Sequence, residues 1–256
     1  MKSENSVCIV TGAGTGTGAA CASLLAHRQW RVVVNYSRSE KDAHDVVAQC
    51  NAAGGEAIAV KADVSKDSDC RALAKAAIDE WGRIDALINN AGITKFAPAD
   101  DLDALDADDF QRIYAVNVVG PYQMIRACAP ALRAGGNGAI VNVSSISGVR
   151  GVGSSTAYIA SKGALNAMTL ALARALAPQI RVNTVCPGMI DTRWHADRFD
   201  AENYAKVKER YAKSVPLARP ATVQDVADAA VWLVEGAAMV TGETILVDSG
   251  YHLGKA

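Results

Sequence analysis

Short apolar runs and longer amphipathic stretches alternate from one end of the chain to the other. The runs SVCIVTG (6–12), RVVVNY (31–36), EAIAVKADV (56–64) and IDALINNAG (84–92) predict strands, as do GAIVNVSS (138–145), IRVNTVCPG (180–188) and TILVDSG (244–250). Between them, residues 18–28, 39–53, 67–81, 110–133, 158–177 and 223–234 carry helical spacing. The early strands are continuous in Val and Ile, the pattern of strands covered on both faces. The alternation predicts an α/β fold with a single Rossmann-type, doubly wound parallel sheet flanked by helices on both faces.

No linker and no internal period divides the chain, so residues 1–256 read as one domain. The longest irregular candidate is a polar stretch at about 191–215 with helical stretches inside it. It carries Trp194, His195, Phe199, Tyr204 and Tyr211 among many charges. Two readings stand, a substrate-covering segment and a long surface excursion.

Composition narrows the partners more than the fold. Lys and Arg number 26 against 27 Asp and Glu, which leaves no excess charge for a phosphate backbone or an anionic membrane. The first apolar run is broken by glycine too soon for a signal peptide or a spanning helix, so the chain reads as cytoplasmic. Six scattered cysteines without a CxxC pair suit a reducing compartment and buried thiols. The four histidines (His27, His44, His195, His252) are dispersed, and no metal site is expected. The run 100–109 holds six aspartates but lacks the glycine and closing glutamate of a calcium loop; it reads as a solvated loop feeding a helix start at 107–110.

Candidate chemistry begins in TGAGTGTG (11–18), between the first strand and its helix. Residues without Cβ let the chain turn sharply and bring backbone N–H groups near a diphosphate at a helix N-terminus; a flexible turn without ligand is the other reading. The second strand ends Asn35-Tyr36-Ser37-Arg38, without the acid that would hold ribose hydroxyls and repel a 2′-phosphate. Arg38 is then either a phosphate partner, favouring NADP over NAD, or a solvated surface cation. Tyr158 and Lys162 stand four apart on one helical face, where an ammonium is expected to lower the phenol pKa. Ser144 and Ser145 close the strand 138–145, where ligands collect in a parallel sheet. Singly, Tyr158 also reads as an interface aromatic, Lys162 as a surface cation and Ser145 as a turn former.

Taken together, the motifs resemble the short-chain dehydrogenase/reductase family over essentially the whole chain. They are TGAGTGTG, Asp63 in ADV, NNAG at 89–92, Asn117 in VNVVG, Ser145 thirteen residues before Tyr158, YxxxK, and PGMIDT at 187–192. The resemblance implies that Gly12, Thr15, Gly16 and Gly18 line a diphosphate site, that Asp63 and Val64 meet the adenine, and that Asn90, Ala91 and Gly92 border the adenosine ribose and the cofactor's centre. Pro187, Gly188, Ile190 and Thr192 would flank the nicotinamide. Ser145 would polarise a carbonyl oxygen and Tyr158 would exchange its proton. Lys162 would also hydrogen-bond the nicotinamide ribose, and Asn117 would hold a water linking Lys162 to solvent.

The implied activity is interconversion of a carbonyl and a secondary alcohol with NADP(H), or NAD(H), in a homotetramer built on the two long central helices. The nearest general look is to 3-oxoacyl-(acyl-carrier-protein) reductases. Here, however, the turns Ala134-Gly135-Gly136-Asn137 and Ala177-Pro178-Gln179 have only Arg133 nearby to meet an acidic carrier, which puts acyl carrier protein in doubt as a partner while a 3-oxoacyl thioester stays among the candidate substrates. A sugar or polyol dehydrogenase is the enzymatic alternative, and a cofactor-binding regulator without turnover is the alternative of another class. VDSG at 247–250, where many relatives carry VDGG, has no reading from sequence.

Overall fold

The computed structural model describes residues 5–192 and 200–254. Its first half runs β1 (Val7–Val10), α1 (Gly16–His27), β2 (Arg31–Tyr36), α2 (Glu40–Ala52), β3 (Glu56–Lys61), α3 (Asp67–Trp81) and β4 (Ala86–Asn89). The second half runs α4 (Ala107–Tyr114), α5 (Gly120–Ala134), β5 (Gly138–Val143), α6 (Ser147–Arg150), α7 (Thr156–Leu176), β6 (Ile180–Pro187), α8 (Ala201–Ser214), α9 (Val223–Glu235) and β7 (Thr244–Val247). The seven strands form one sheet in the order β3-β2-β1-β4-β5-β6-β7, every neighbouring pair parallel. This is the expected doubly wound Rossmann-type sheet.

Two apolar layers hold it. On one face Leu25 of α1, Val46 of α2 and Val231 of α9 pack on the sheet; on the other Leu73 of α3, Met124 and Leu132 of α5 and Leu176 of α7 do so. The central strands β1, β4 and β5 are buried throughout, whereas β3 and β7, at the edges, are partly open. All six cysteines are buried and free, five of them within these layers. No helix among the described residues is long and apolar enough to cross a membrane.

Three local features depart from the sequence reading. The helix expected at 110–133 is interrupted by one π turn, Ala115–Val119, between α4 and α5. The aspartate run does lead into a helix, with Asp106 capping α4 in a reciprocal pair with Asp109. Asp109, however, is not solvated: it is buried and holds Lys95 and, at 2.6 Å, Arg112. Ser249 adopts φ 58°, a left-handed conformation in which glycine carries no Cβ penalty. That is the physical content of the VDSG departure: a glycine would suit the turn better than the serine this chain has.

Candidate active site

Strand order reverses between β1 and β4, and a cleft of about 1560 Å³ opens over the carboxyl ends of the strands there. Every site residue singled out from the sequence lines it except Gly18 and Asn117. Those two lie behind its wall.

The glycine turn is braced from both sides. Gly12 takes φ 61° and donates its N–H to Asn35 Oδ1 at 3.1 Å, while Asn35 Nδ2 donates to the carbonyl of Ala62 at 3.0 Å. From the β4 side, Asn90 Nδ2 donates to the carbonyls of Thr11 and Gly12, each at 3.0 Å, and Thr11 Oγ1 accepts from the N–H of Asn90 and Ala91. A Cβ on Gly18 would stand 2.5 Å from both Asn90 Nδ2 and the Gly12 carbonyl oxygen. Gly18 is thus required by packing within the turn rather than by the cleft. A Cβ on Gly16, at φ 59°, would meet nothing within 4 Å.

Helix α1 starts at this turn with no side-chain cap and no acid in its first turn, unlike α4 and α9, which are capped by Asp106 and Thr222. Its positive end is left to the cleft, so the residues present fit a diphosphate. At the β2 and β3 ends stand Arg38, Lys61 and Lys66 with Asp42, Asp63 and Asp69. Burial pushes the Asp63 carboxyl up, but hydrogen bonds from Ser65 and the charges of Lys66 and Arg38 outweigh it and hold the group below its ordinary range.

The opposite end gathers Ser145, Tyr158 and Lys162. Ser155 caps α7 by accepting from the Tyr158 N–H, which fixes the helix start three residues before the tyrosine. The Tyr158 hydroxyl is hydrogen-bonded with Ser145, whose Oγ also meets Ser147 Oγ at 3.0 Å. Lys162 is 4% exposed, donates from Nζ to the Val143 carbonyl at 2.9 Å and lies 5.6 Å from the Tyr158 ring centre. Burial lowers its pKa from 10.5 to about 8. Burial likewise pushes the Tyr158 hydroxyl up to about 12, with Ser145 pulling the other way. The expected lowering of the phenol by Lys162 is therefore not what this cleft produces; desolvation dominates.

Asn117 sits in the π turn, fully buried, and does not face the cleft. Its side chain exchanges hydrogen bonds with the backbone of Ile93 and donates to Ser161 Oγ at 3.0 Å. Ser161 Oγ in turn donates to the Tyr158 carbonyl at 2.7 Å. A Cβ on Gly92 would come 3.5 Å from Asn117 Oδ1 and 3.6 Å from Lys162 Nζ, so the loop after β4 lies directly against the lysine.

The segment after β6 is tied down by α8. Tyr204 donates to Asp191 at 2.8 Å, and Tyr211 Oη accepts from the Met189 N–H and donates to the Asp248 carbonyl. Of the stretch expected to cover substrate, Trp194, His195 and Phe199 lie outside the described residues, whereas Val207 of α8 lines the cleft. Thr11, Asn35 and Ser161 are structural partners that sequence reasoning missed. The one available signal was a buried-strand pattern, RVVVNY, interrupted by the amide of Asn35.

Comparison with known proteins gives concordant matches. A family model described as enoyl-(acyl carrier protein) reductase matches residues 12–252. A candidate ketoacyl reductase of the granaticin polyketide synthase from Streptomyces violaceoruber is 41% identical over 250 residues, spanning 98% of this chain and 97% of the relative. A 3-oxoacyl-[acyl-carrier-protein] reductase from Synechocystis is 35% identical over 247 residues, spanning 95% of this chain and 96% of its own length. The crystal structure of a candidate short-chain dehydrogenase/reductase from Burkholderia xenovorans superposes with a TM-score of 0.92 at 40% identity, over 99% of this chain and 100% of that one.

The packing of the turn has a direct consequence. Gly18→Ala should lower the unfolding free energy by about 1–3 kcal/mol through overpacking against Asn90 and Gly12, read in denaturant melts. An unchanged midpoint would show that the turn yields freely.

Proposed function

The chain belongs to the short-chain dehydrogenase/reductase family of NAD(P)-dependent oxidoreductases, and from that premise we propose that it reduces a carbonyl to a secondary alcohol with NADP(H) preferred. The grouping of Ser145, Tyr158 and Lys162 at one end of the cleft carries the proposal. Gly12, Thr15 and Gly16 would hold the diphosphate, and Asp63 with Val64 the adenine. Ala91 and Gly92 would border the centre, with Asn90 bracing them, and Pro187, Gly188, Ile190 and Thr192 would flank the nicotinamide. When bound, the nicotinamide supplies or accepts the hydride. Arg38, just past a β2 strand that itself ends without an acid, supports the preference for a 2′-phosphate.

Ser145 Oγ and Tyr158 Oη, already paired, converge where a carbonyl oxygen would accept from both. As negative charge develops on that oxygen, Tyr158 gives up its proton and the two hydroxyls stabilise the alkoxide. A phenol pushed up to about 12 is protonated at neutral pH and stands ready as the proton donor for reduction. Lys162 would hold the nicotinamide ribose. Asn117 acts one layer back, through Ile93 and Ser161.

The relatives' names place 3-oxoacyl thioesters among the substrates to test. The last turn of α7 adds Arg174 to Arg133 of α5, a cation the sequence reading did not count, yet two arginines remain a thin surface for an acidic carrier. Half-exposed Val119, Tyr122 and Leu170, around α5 and on α7, support the homotetramer. Light scattering should return four chain masses at working concentration; a monomer would exclude it.

The activity test is an assay of ketone reduction with each cofactor. NADPH should exceed NADH in kcat/KM by about tenfold or more, from one charge-assisted phosphate contact. Tyr158→Phe should lower kcat by about 10²–10⁴-fold. Full turnover by Tyr158→Phe would refute the acid–base assignment, and a preference for NADH would refute the role of Arg38.

A further inference from the structure

The cleft is asymmetric in charge. Among the described residues, Lys162 and Arg112 are the only charged side chains lining it away from the β2 and β3 ends. Arg112 is bonded to the buried carboxylate of Asp109 at 2.6 Å, which also receives Lys95. Among the described residues, the side chains lining the rest of the cleft include Phe96, Pro98, Val152, Met189, Val207 and Tyr251. Two of the hydroxyls lining it have protein partners: Ser154 Oγ lies 2.6 Å from Thr94 Oγ1, and Ser147 Oγ accepts from Ser145. Apolar walls offer a polyhydroxylated substrate fewer hydrogen-bond partners than the water it would leave.

Tyr251 is the best-anchored of these walls. It stands on the short 3₁₀ turn Tyr251–Leu253 after β7 and stacks on Tyr211 of α8, ring centres 5.8 Å apart and planes 22° apart. Arg150 of α6 lies over the same ring at 5.9 Å and donates to the His252 carbonyl. Buried Asp248 accepts from the N–H of Gly250 at 2.9 Å, from the N–H of His252 at 2.8 Å and meets the His252 ring nitrogen at 2.9 Å. Gly250 turns at φ 81° against Pro216, where a Cβ would come within 2.8 Å. Three elements and the strand end therefore fix one aromatic ring at the mouth of the substrate half.

Resting on the oxidoreductase reading above, we infer that the substrate is an uncharged carbonyl compound whose portion beyond the reacting carbon is apolar, and that Tyr251 is a specificity-determining wall for it. A sugar or polyol would find few partners on these walls.

The test separates binding from turnover. Acetophenone, ethyl 3-oxobutanoate and fructose are titrated calorimetrically into the protein with NADP⁺ present, and each is assayed for reduction by NADPH. Acetophenone should bind, and its kcat/KM should exceed that of fructose by about a hundredfold or more. Tyr251→Ala should raise Kd and KM for acetophenone about tenfold, while kcat and the cofactor Kd stay within about twofold. Tyr251→Phe should restore both constants. Fructose bound or reduced as well as acetophenone overturns the inference. So does acetophenone failing to bind, or an unchanged acetophenone Kd in Tyr251→Ala. Acetophenone bound with the Tyr251 dependence but never reduced, with no other ketone turned over, would support the apolar pocket and overturn the oxidoreductase reading instead.

Discussion

A cation buried at the end of β5 is the constraint to which the surrounding structure answers. Taking an ammonium out of water costs several kcal/mol unless it finds oxygen partners. Lys162 finds one in the carbonyl of Val143, the last residue of β5. Its other neighbours are set by the same need for room: Gly92 offers no side chain, and the Tyr158 ring lies one helical turn away. The π turn at 115–119 buries Asn117 where it clamps Ile93 on one side and α7, through Ser161, on the other. Such turns concentrate at functional sites because they break helical register to place one side chain.

The cofactor half of the cleft obeys a different constraint, that of a backbone turn with its amides facing outward. Carbonyls turned inward must be satisfied, and Asn90, just past β4, donates to those of Thr11 and Gly12, while Asn35 of β2 accepts the one inward Gly12 N–H. With that scaffold in place, α1 needs no side-chain cap and leaves its N-terminus for an anion. The two halves meet over β1 and β4, where the reversal of strand order opens the crevice. Charge then sorts itself along the cleft, with ionic groups at the β2 and β3 ends and apolar walls beyond Tyr158.

Periodicity was sufficient for the sheet. RVVVNY became β2 over the same residues, and 67–81 became α3 without adjustment, because continuous Val and Ile or a clean amphipathic stripe leaves little choice. The site was legible as a constellation, since the motif residues reach one cleft in this fold. What sequence did not show was depth. Gly18 read as lining the diphosphate site and lies behind the wall, as does Asn117, which read as the holder of a water beside Lys162; Asn35 had no reading of its own and is a brace; Asp109 read as part of a solvated run and is a buried anchor. The direction of the Tyr158 shift also went the other way, because spacing reveals a neighbouring charge but not the loss of water around a phenol. Tyr251 gave no signal at all, for its importance arises from contacts with α6 and α8, distant in sequence.

The claim that burial tunes Lys162 can be read directly from the nitrogen-15 chemical shift of its ammonium group in the cofactor-free protein, followed against pH. The account predicts a midpoint near 8, well below the ordinary 10.5. Since the folded value lies below the unfolded one, the unfolded chain binds the extra proton between them, and stability should rise with pH across that window relative to Lys162→Met. A midpoint at or above 10.5 would mean a solvated lysine and would contradict the account.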